Sequence, residues 1–382
     1  MKKRIQYIAA ALLLCATFGT FGACKKDADT PAPSPTPDPG PNPEPTPSVI
    51  YGLPEGGTGR YISNSDVLDD GDTRYLVCTT NETQAEEDNV IAVYKAKYEA
   101  GEGKGWAYGE QKIVLRGEEG KWDEYIGSAS IVKGTFAKED KNYSWLMAYC
   151  ATSAANDTQY SIGLAAATAP DGEWEKIGQI VSFDSKVYGT SSVGCYAPSI
   201  VNYDKASGIR LFYTYADMYG HFAKFVDFDA SDLTDIEISG EAMVPTNGSV
   251  AGGDDAVMFP NADFAYDETA GKFVAVKDYS PSAATDPKFA TKIQLLSIDE
   301  EELLTTDIGE GWLGLRTWDN TDTMNGDTMY ERLYGGSVVS DAYGHVNGAN
   351  GYEIICHVCL EKSESEDYLF TQKPISFLYS AN

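Results

Sequence analysis

Carboxylates and aromatic rings are the side chains with which this 382-residue chain could do chemistry: Asp and Glu together number 58, and Tyr alone 25. Acids set beside rings suit the binding and acid/base cleavage of sugars, because a ring stacks on a sugar face while one carboxyl gives a proton and another takes one. Other toolkits are thinly represented. The three histidines, His221, His345 and His357, are scattered and have no serine elbow near them. Gly252-Gly253-Asp254-Asp255 is followed by neither Lys-Ser/Thr nor a helix, and its acidic pair repels phosphate. Cys356-His357-Val358-Cys359 is a CxxC in a strand-like run, without the second pair that a structural zinc site needs, so no metal site is assigned.

The candidate catalytic acids are Asp66, Glu124, Asp255 and Asp263, with Asp217 and Asp254 nearby in the chain. An inverting glycosidase needs two carboxyls roughly 6.5–9.5 Å apart, one protonated and one ionised. The candidate sugar platforms are Trp122, Tyr125, Tyr196, Tyr219 and Trp318; Tyr188, Trp312, Tyr330 and Tyr334 also fall in inter-strand segments. Taken singly, each acid suits a solvated loop as well, and each ring suits packing between sheets.

The elements that must position these residues recur along the chain. Ser161–Ala166 alternates as a strand, breaks at Ala169-Pro170-Asp171-Gly172 and resumes at Glu173-Trp174. Pro198–Tyr203, a polar turn and Ile209–Tyr215 form a hairpin. Similar strand–turn–strand phrases begin at Ser65, Ser128, Ala262 and Gly336. Five copies at roughly sixty to seventy-five residue intervals predict an all-β, five-bladed β-propeller over residues 49–382, with about four strands per blade. Its last strand, Ile375–Tyr379, is expected to close against the first blade so that no long edge stays open. The one helix-compatible run is Asp299–Thr306.

Three stretches carry a resemblance. Ser65–Val77, with Asp66, Asp70-Gly71, Tyr75 and Leu76, resembles the first blade of the five-bladed propeller glycoside hydrolases of family 43, the arabinanase and β-xylosidase group. Ser161–Trp174 resembles the end of that family's second blade, and Ala197-Pro198-Ser199-Ile200 its Ala-Pro blade start. The resemblance implies that Asp66 is the catalytic base at the inner end of blade one. It also implies an aspartate near Ala197 and a proton-donating glutamate near Asn261, where this chain has neither. Two functions follow as expectations: a glycoside hydrolase acting on a polysaccharide or oligosaccharide, or a non-catalytic glycan-binding protein on the same scaffold. The Ser-x-Asp-x-Gly-x-Thr-Trp box of sialidase propellers is missing. The residues call for no cofactor; the central channel has room for a structural calcium.

The chain opens with Met1-Lys2-Lys3-Arg4, an apolar run over Ile8–Phe18 and Phe21-Gly22-Ala23-Cys24, which reads as a secretory signal over residues 1–23 rather than a membrane span. Gly-Ala-Cys resembles a bacterial lipobox, and Lys25-Lys26-Asp27-Ala28-Asp29 resembles the surface-export signal of Bacteroidetes lipoproteins. Residues 24–48 form the anchor and linker, with proline at every second position from Pro31 to Pro47, an extended spacer of about 3 Å per residue. The net charge of −29 disfavours nucleic acid and direct docking on anionic lipid. Contact with the outer membrane is therefore expected through the lipid alone, with a monomeric domain exposed at the cell surface. Cys78 and Cys150 sit at equivalent strand ends and are expected as buried free thiols. If Cys24 carries lipid, the protein labels with palmitate and partitions into detergent, and Cys24→Ala abolishes both; a labelled Cys24→Ala protein contradicts the assignment.

Overall fold

The structure, a computed structural model, describes residues 61–83, 89–100, 105–154, 158–189, 191–217, 220–248, 258–279, 290–305, 311–320, 330–359 and 373–380. The signal, the proline-rich linker, Cys24, Tyr219, Asp254 and Asp255 lie outside the described residues. The described residues form five small antiparallel sheets, the five-bladed propeller expected.

The first sheet holds β1 (Ser63–Asp70), β2 (Thr73–Asn81) and β3 (Asn89–Tyr98), with β4 (Trp106–Tyr108) and β5 (Lys112–Arg116) both paired to β3. Blade two is β6 (Tyr125–Lys138), β7 (Lys141–Thr152), β8 (Ser161–Ala167) and β9 (Glu175–Val181). A one-turn helix, α1 (Ser185–Tyr188), leads into blade three: β10 (Gly194–Asn202), β11 (Gly208–Asp217), β12 (Gly220–Asp229) and β13 (Ile238–Met243). Blade four is β14 (Asp263–Asp267), β15 (Lys272–Tyr279), β16 (Lys292–Asp299) and β17 (Leu313–Asp319), with α2 (Glu300–Leu304) within the expected helical run. Blade five begins with β18 (Arg332–Val338), passes through the two-residue strands β19 (Ser340–Asp341) and β20 (His345–Val346), and ends with β21 (Tyr352–Cys359) and β22 (Lys373–Tyr379).

Central strands are apolar on both faces because each sheet is packed between two others, and β2 and β8 are buried at every residue. Five apolar clusters result, one at each inter-blade seam. The seam between blades two and three is the largest and includes Phe136, Leu146, Ile162, Ile200, Leu211 and Phe228. The seam joining blade five to blade one has few buried members, among them Val67, Leu76, Cys78, Tyr94 and Ile355. Cys78 and Cys150 are free and buried, as are Cys195, Cys356 and Cys359.

The expected closure is corrected in one respect. β22 pairs with β21 as the outer strand of blade five, and the ring closes instead through β19, which runs parallel to β1 with Leu68 opposite Ser340 and Asp69 opposite Asp341. The segment then crosses the end of the propeller where the inner strands finish. Ala342 O accepts from Lys133 N at 2.6 Å, Tyr343 O from Asn202 N at 2.9 Å and Gly344 O from Tyr266 N at 3.0 Å, before β20 pairs with β14. Gly344 has φ +80°, and a Cβ there would lie 3.0 Å from Ile200 O, so only glycine fits the crossing.

At the thin seam, buried Arg74 on β2 forks between Asp69 Oδ1 (2.7 Å) in its own blade and Glu353 Oε1 (2.7 Å) on β21 of blade five. Removing the guanidinium leaves two partly buried carboxylates facing each other at the closure. Arg74→Ala is therefore expected to cost roughly 2–3 kcal/mol in chemical denaturation; a loss below about 0.5 kcal/mol, the size of an exposed pair, contradicts the closing role.

Candidate functional site

Four of the five inner strands enter the ring through a kink. The ladders slip between Ser63 and Asp66, between Ile126 and Ala129, between Tyr196 and Ser199, and between Tyr334 and Ser337, so one strand of each pair bulges and turns its first residues toward the axis. Asn64, Ala197 and Asn261 take φ of 46°, 46° and 47°, and Gly335 60°. Asparagine and glycine tolerate the left-handed region, whereas Ala197 is held there at a cost. The kinks converge on a central cavity of about 40 Å³ lined by Asn64, Asp66, Ser128, Ala197, Asn261 and Asp263 among others. That volume holds a water or a ligand hydroxyl rather than a sugar ring.

The cavity lining and the inter-blade hydrogen bonds match five tetrapeptides: Asn64-Ser65-Asp66-Val67, Ser128-Ala129-Ser130-Ile131, Ala197-Pro198-Ser199-Ile200, Asn261-Ala262-Asp263-Phe264 and Gly335-Gly336-Ser337-Val338. The third position has a structural task. Asp66 Oδ2 accepts from Ile131 N (2.9 Å), Ser130 Oγ from Ile200 N (3.2 Å), Ser199 Oγ from Phe264 N (2.9 Å) and Asp263 Oδ2 from Val338 N (2.8 Å). Each link ties one blade to the next. Asp66 thus shares its position with Ser130 and Ser199, and the places that the resemblance assigns to the other two carboxyls, Ala197 and Asn261, are first positions. Their counterpart in blade one is Asn64.

Burial and the facing Asp263 carboxylate push Asp66 up to about 7, and burial also raises Asp263. Asp278 on β15 is pushed to about 7 by burial, although its carboxylate accepts from Asn261 Nδ2 and Gly335 N, both at 2.7 Å. His357, whose Nε2 accepts from Ser65 N at 3.3 Å, is driven down to about 4 by burial and is neutral at physiological pH. Among the described residues no group of three or more His, Cys, Asp or Glu is arranged to hold a metal ion. Asp66 and Asp263 each direct an oxygen at a backbone N–H.

Of the expected site residues that are described, the structure brings Asp66 and Asp263 to the cavity and leaves the others elsewhere. Glu124 accepts from Gly120 N in the turn before β6. Trp122 stacks on Tyr149 (centroids 5.8 Å apart) and covers Gly163, which makes it part of the packing of blade two. Tyr125 opens β6 at half exposure. Tyr196 is half-buried, with its hydroxyl 2.6 Å from His221 Nδ1. Trp318 is corrected from platform to core: it is 3% exposed and stacked on Phe377 at 5.2 Å. Trp312, Tyr188 and Tyr330 are likewise buried, because rings of this size yield most when removed from water. Asn64, Asn261 and Asp278 were not singled out from the sequence. The repeat of Asn-x-Asp-apolar at Asn64 and Asn261 is the signal that could have found the first two.

Since Asp66 binds its proton up to about pH 7 when folded but releases it near 3.8 when unfolded, its stabilising contribution is complete below the lower value and is lost as pH rises through the higher. Asp66→Asn keeps an acceptor for Ile131 N and removes the charge. Its stability gain over wild type should grow by on the order of 2 kcal/mol between about pH 5 and about pH 8; a gain that does not change with pH in thermal melts contradicts a buried, proton-holding Asp66.

No family model and no curated protein matches the chain. Similar solved structures include the catalytic domain of the family 62 α-L-arabinofuranosidase of Coprinopsis cinerea, with 10% identity and a TM-score of 0.54 over 87% of this chain and 96% of that one. An α-L-arabinofuranosidase of Podospora anserina, solved with cellotriose, has 11% identity and a TM-score of 0.53 over 87% and 95%. A family 117 glycoside hydrolase of Zobellia galactanivorans has 13% identity and a TM-score of 0.50 over 87% and 90%. The chain therefore has the fold of the five-bladed β-propeller glycoside hydrolases.

Proposed function

We propose that this protein is a glycan-binding lipoprotein, held at the cell surface through Cys24 and the proline-rich linker, on a propeller scaffold of the glycosidase kind whose five first positions at the throat carry no carboxyl. One observation carries the reading: the five first positions that converge on the axis hold Asn64, Ser128, Ala197, Asn261 and Gly335, none of which ionises. Amides and a hydroxyl can bind sugar hydroxyls but cannot exchange a proton with a leaving group or a water. The strained Ala197 supports the same place, since left-handed backbone at non-glycine residues is retained where position matters. A sugar ring would rest above the 40 Å³ throat and reach in with one hydroxyl group.

A second reading keeps hydrolysis. It is favoured by the facing Asp66 and Asp263, two carboxyls whose burial and mutual repulsion allow one to be protonated while the other is ionised near neutral pH. Against it, each carboxyl is engaged by the backbone of the next blade and lies two residues past the kink.

Affinity electrophoresis in arabinan, xylan and arabinoxylan tests the binding reading. Wild type should be retarded by at least one of them. Asn64→Gly, which keeps the φ of 46° accessible, should weaken that retention about threefold to tenfold, the worth of one hydrogen bond. Unretarded wild type, or retention indifferent to Asn64→Gly, contradicts the throat as the binding site.

A further inference from the structure

The residue before the first position is a tyrosine in two blades, Tyr196 before Ala197 and Tyr334 before Gly335, and each ring lies against a histidine, His221 at 5.8 Å and His357 at 6.0 Å between centroids. The two histidines are in opposite circumstances. His357 is fully buried, and its Nε2 is spent on Ser65 N. His221 is partly exposed, and among the described residues only its Nδ1 is hydrogen-bonded, 2.6 Å from the Tyr196 hydroxyl.

Strand pairing puts this couple at the throat. Tyr196 follows Gly194 by two residues on β10, Gly194 stands opposite Ala216 on β11 and Ala216 opposite His221 on β12, so Tyr196 and His221 share one face of blade three. That face looks toward blade four. Thr214, opposite Tyr196, donates Oγ1 to Phe259 O at 2.8 Å, and Phe259 N donates to His221 O at 2.8 Å. Two residues further along the chain from Phe259 comes Asn261, which lines the throat.

The tautomer of His221 follows from these neighbours. The backbone N–H of Asn261 approaches the Tyr196 oxygen, so the tyrosine hydrogen is directed at His221 Nδ1 and the ring's own hydrogen stays on Nε2. Burial, outweighing the nearby Asp217 carboxylate, holds the imidazole below its ordinary range and keeps it neutral at physiological pH. Donors thus run in a chain from Asn261 N–H through Tyr196 O–H to His221 Nε2–H, and the last has no acceptor among the described residues.

We propose that His221 is a sugar-binding residue at the rim of the throat, giving Nε2–H to a hydroxyl or ring oxygen of the glycan whose other hydroxyl enters the cavity of about 40 Å³, and that Tyr196 is the residue that positions it. The proposal rests on glycan binding at the throat and adds a second contact to it. A neutral N–H donor with a fixed direction suits an uncharged oxygen acceptor, which is what a sugar presents.

Affinity electrophoresis of the full chain in arabinan, xylan and arabinoxylan tests it, with melting temperature as the check on folding. His221→Ala should weaken retention about threefold to tenfold. His221→Gln, which can place an amide N–H where Nε2 stands, should return retention to within about twofold of wild type; a histidine that only fills space would not be replaced in this way. Tyr196→Phe keeps the ring and removes the hydroxyl. It should weaken retention on its own but add nothing to His221→Ala, since it acts through the histidine. Retention that Asn64→Gly weakens but His221→Ala leaves alone, or a His221→Gln protein no better than His221→Ala, overturns the role of His221 while the throat stands as the binding site. Wild type that none of the three glycans retards overturns both.

Discussion

Five inner strands brought to one axis must satisfy backbone N–H groups that have no neighbouring strand to pair with, and this requirement governs the centre of the molecule. A buried donor left unpaired costs about as much as several exposed ion pairs supply. The chain meets the demand at one end in four of the five blades, where Asp66, Ser130, Ser199 and Asp263 hand an acceptor to the next blade. At the other end a single crossing segment lends its carbonyls to Lys133, Asn202 and Tyr266. The seams between blades supply the apolar burial, but these polar links fix the angle at which one blade meets the next.

The same requirement shapes the chemistry available at the throat. A carboxylate serving as a hydrogen-bond strut is held in place by the partner blade, and where two struts are aspartates facing a small cavity, burial and like charge favour keeping a proton between them. Serine performs the task in two other blades without any charge, so the geometry itself does not demand an acid. What projects past the struts toward the mouth is neutral. At the far end the acids are paired instead, Asp69 and Glu353 with Arg74 and Glu268 with Lys205.

Much of the fold was legible because its signals are local. Alternation and short polar turns such as Asp70-Gly71 marked the strand pairs, and the five phrases coincide with β1, β6, β10, β14 and β18. Closure was not legible, since β19 and β20 are two residues each and are defined only by partners more than seventy residues away along the chain. The site was read two residues out of register: Asp66 attracts notice as an acid, but the bulge that turns Asn64 inward instead is a property of strand pairing and not of residue type. Trp312 and Trp318 misled for a related reason, because the rings that stack on sugars are also the rings that fill the seams between sheets.

The central claim, that the throat binds without cleaving, is tested most directly by measuring product release with the protein in molar excess over labelled arabinan, xylan, arabinoxylan and aryl glycosides. Wild type should release no more product than heat-inactivated protein and should not differ from Asp66→Asn. Release of sugar by wild type that Asp66→Asn removes, with glycan retention intact, would contradict the account and return Asp66 to the role of base.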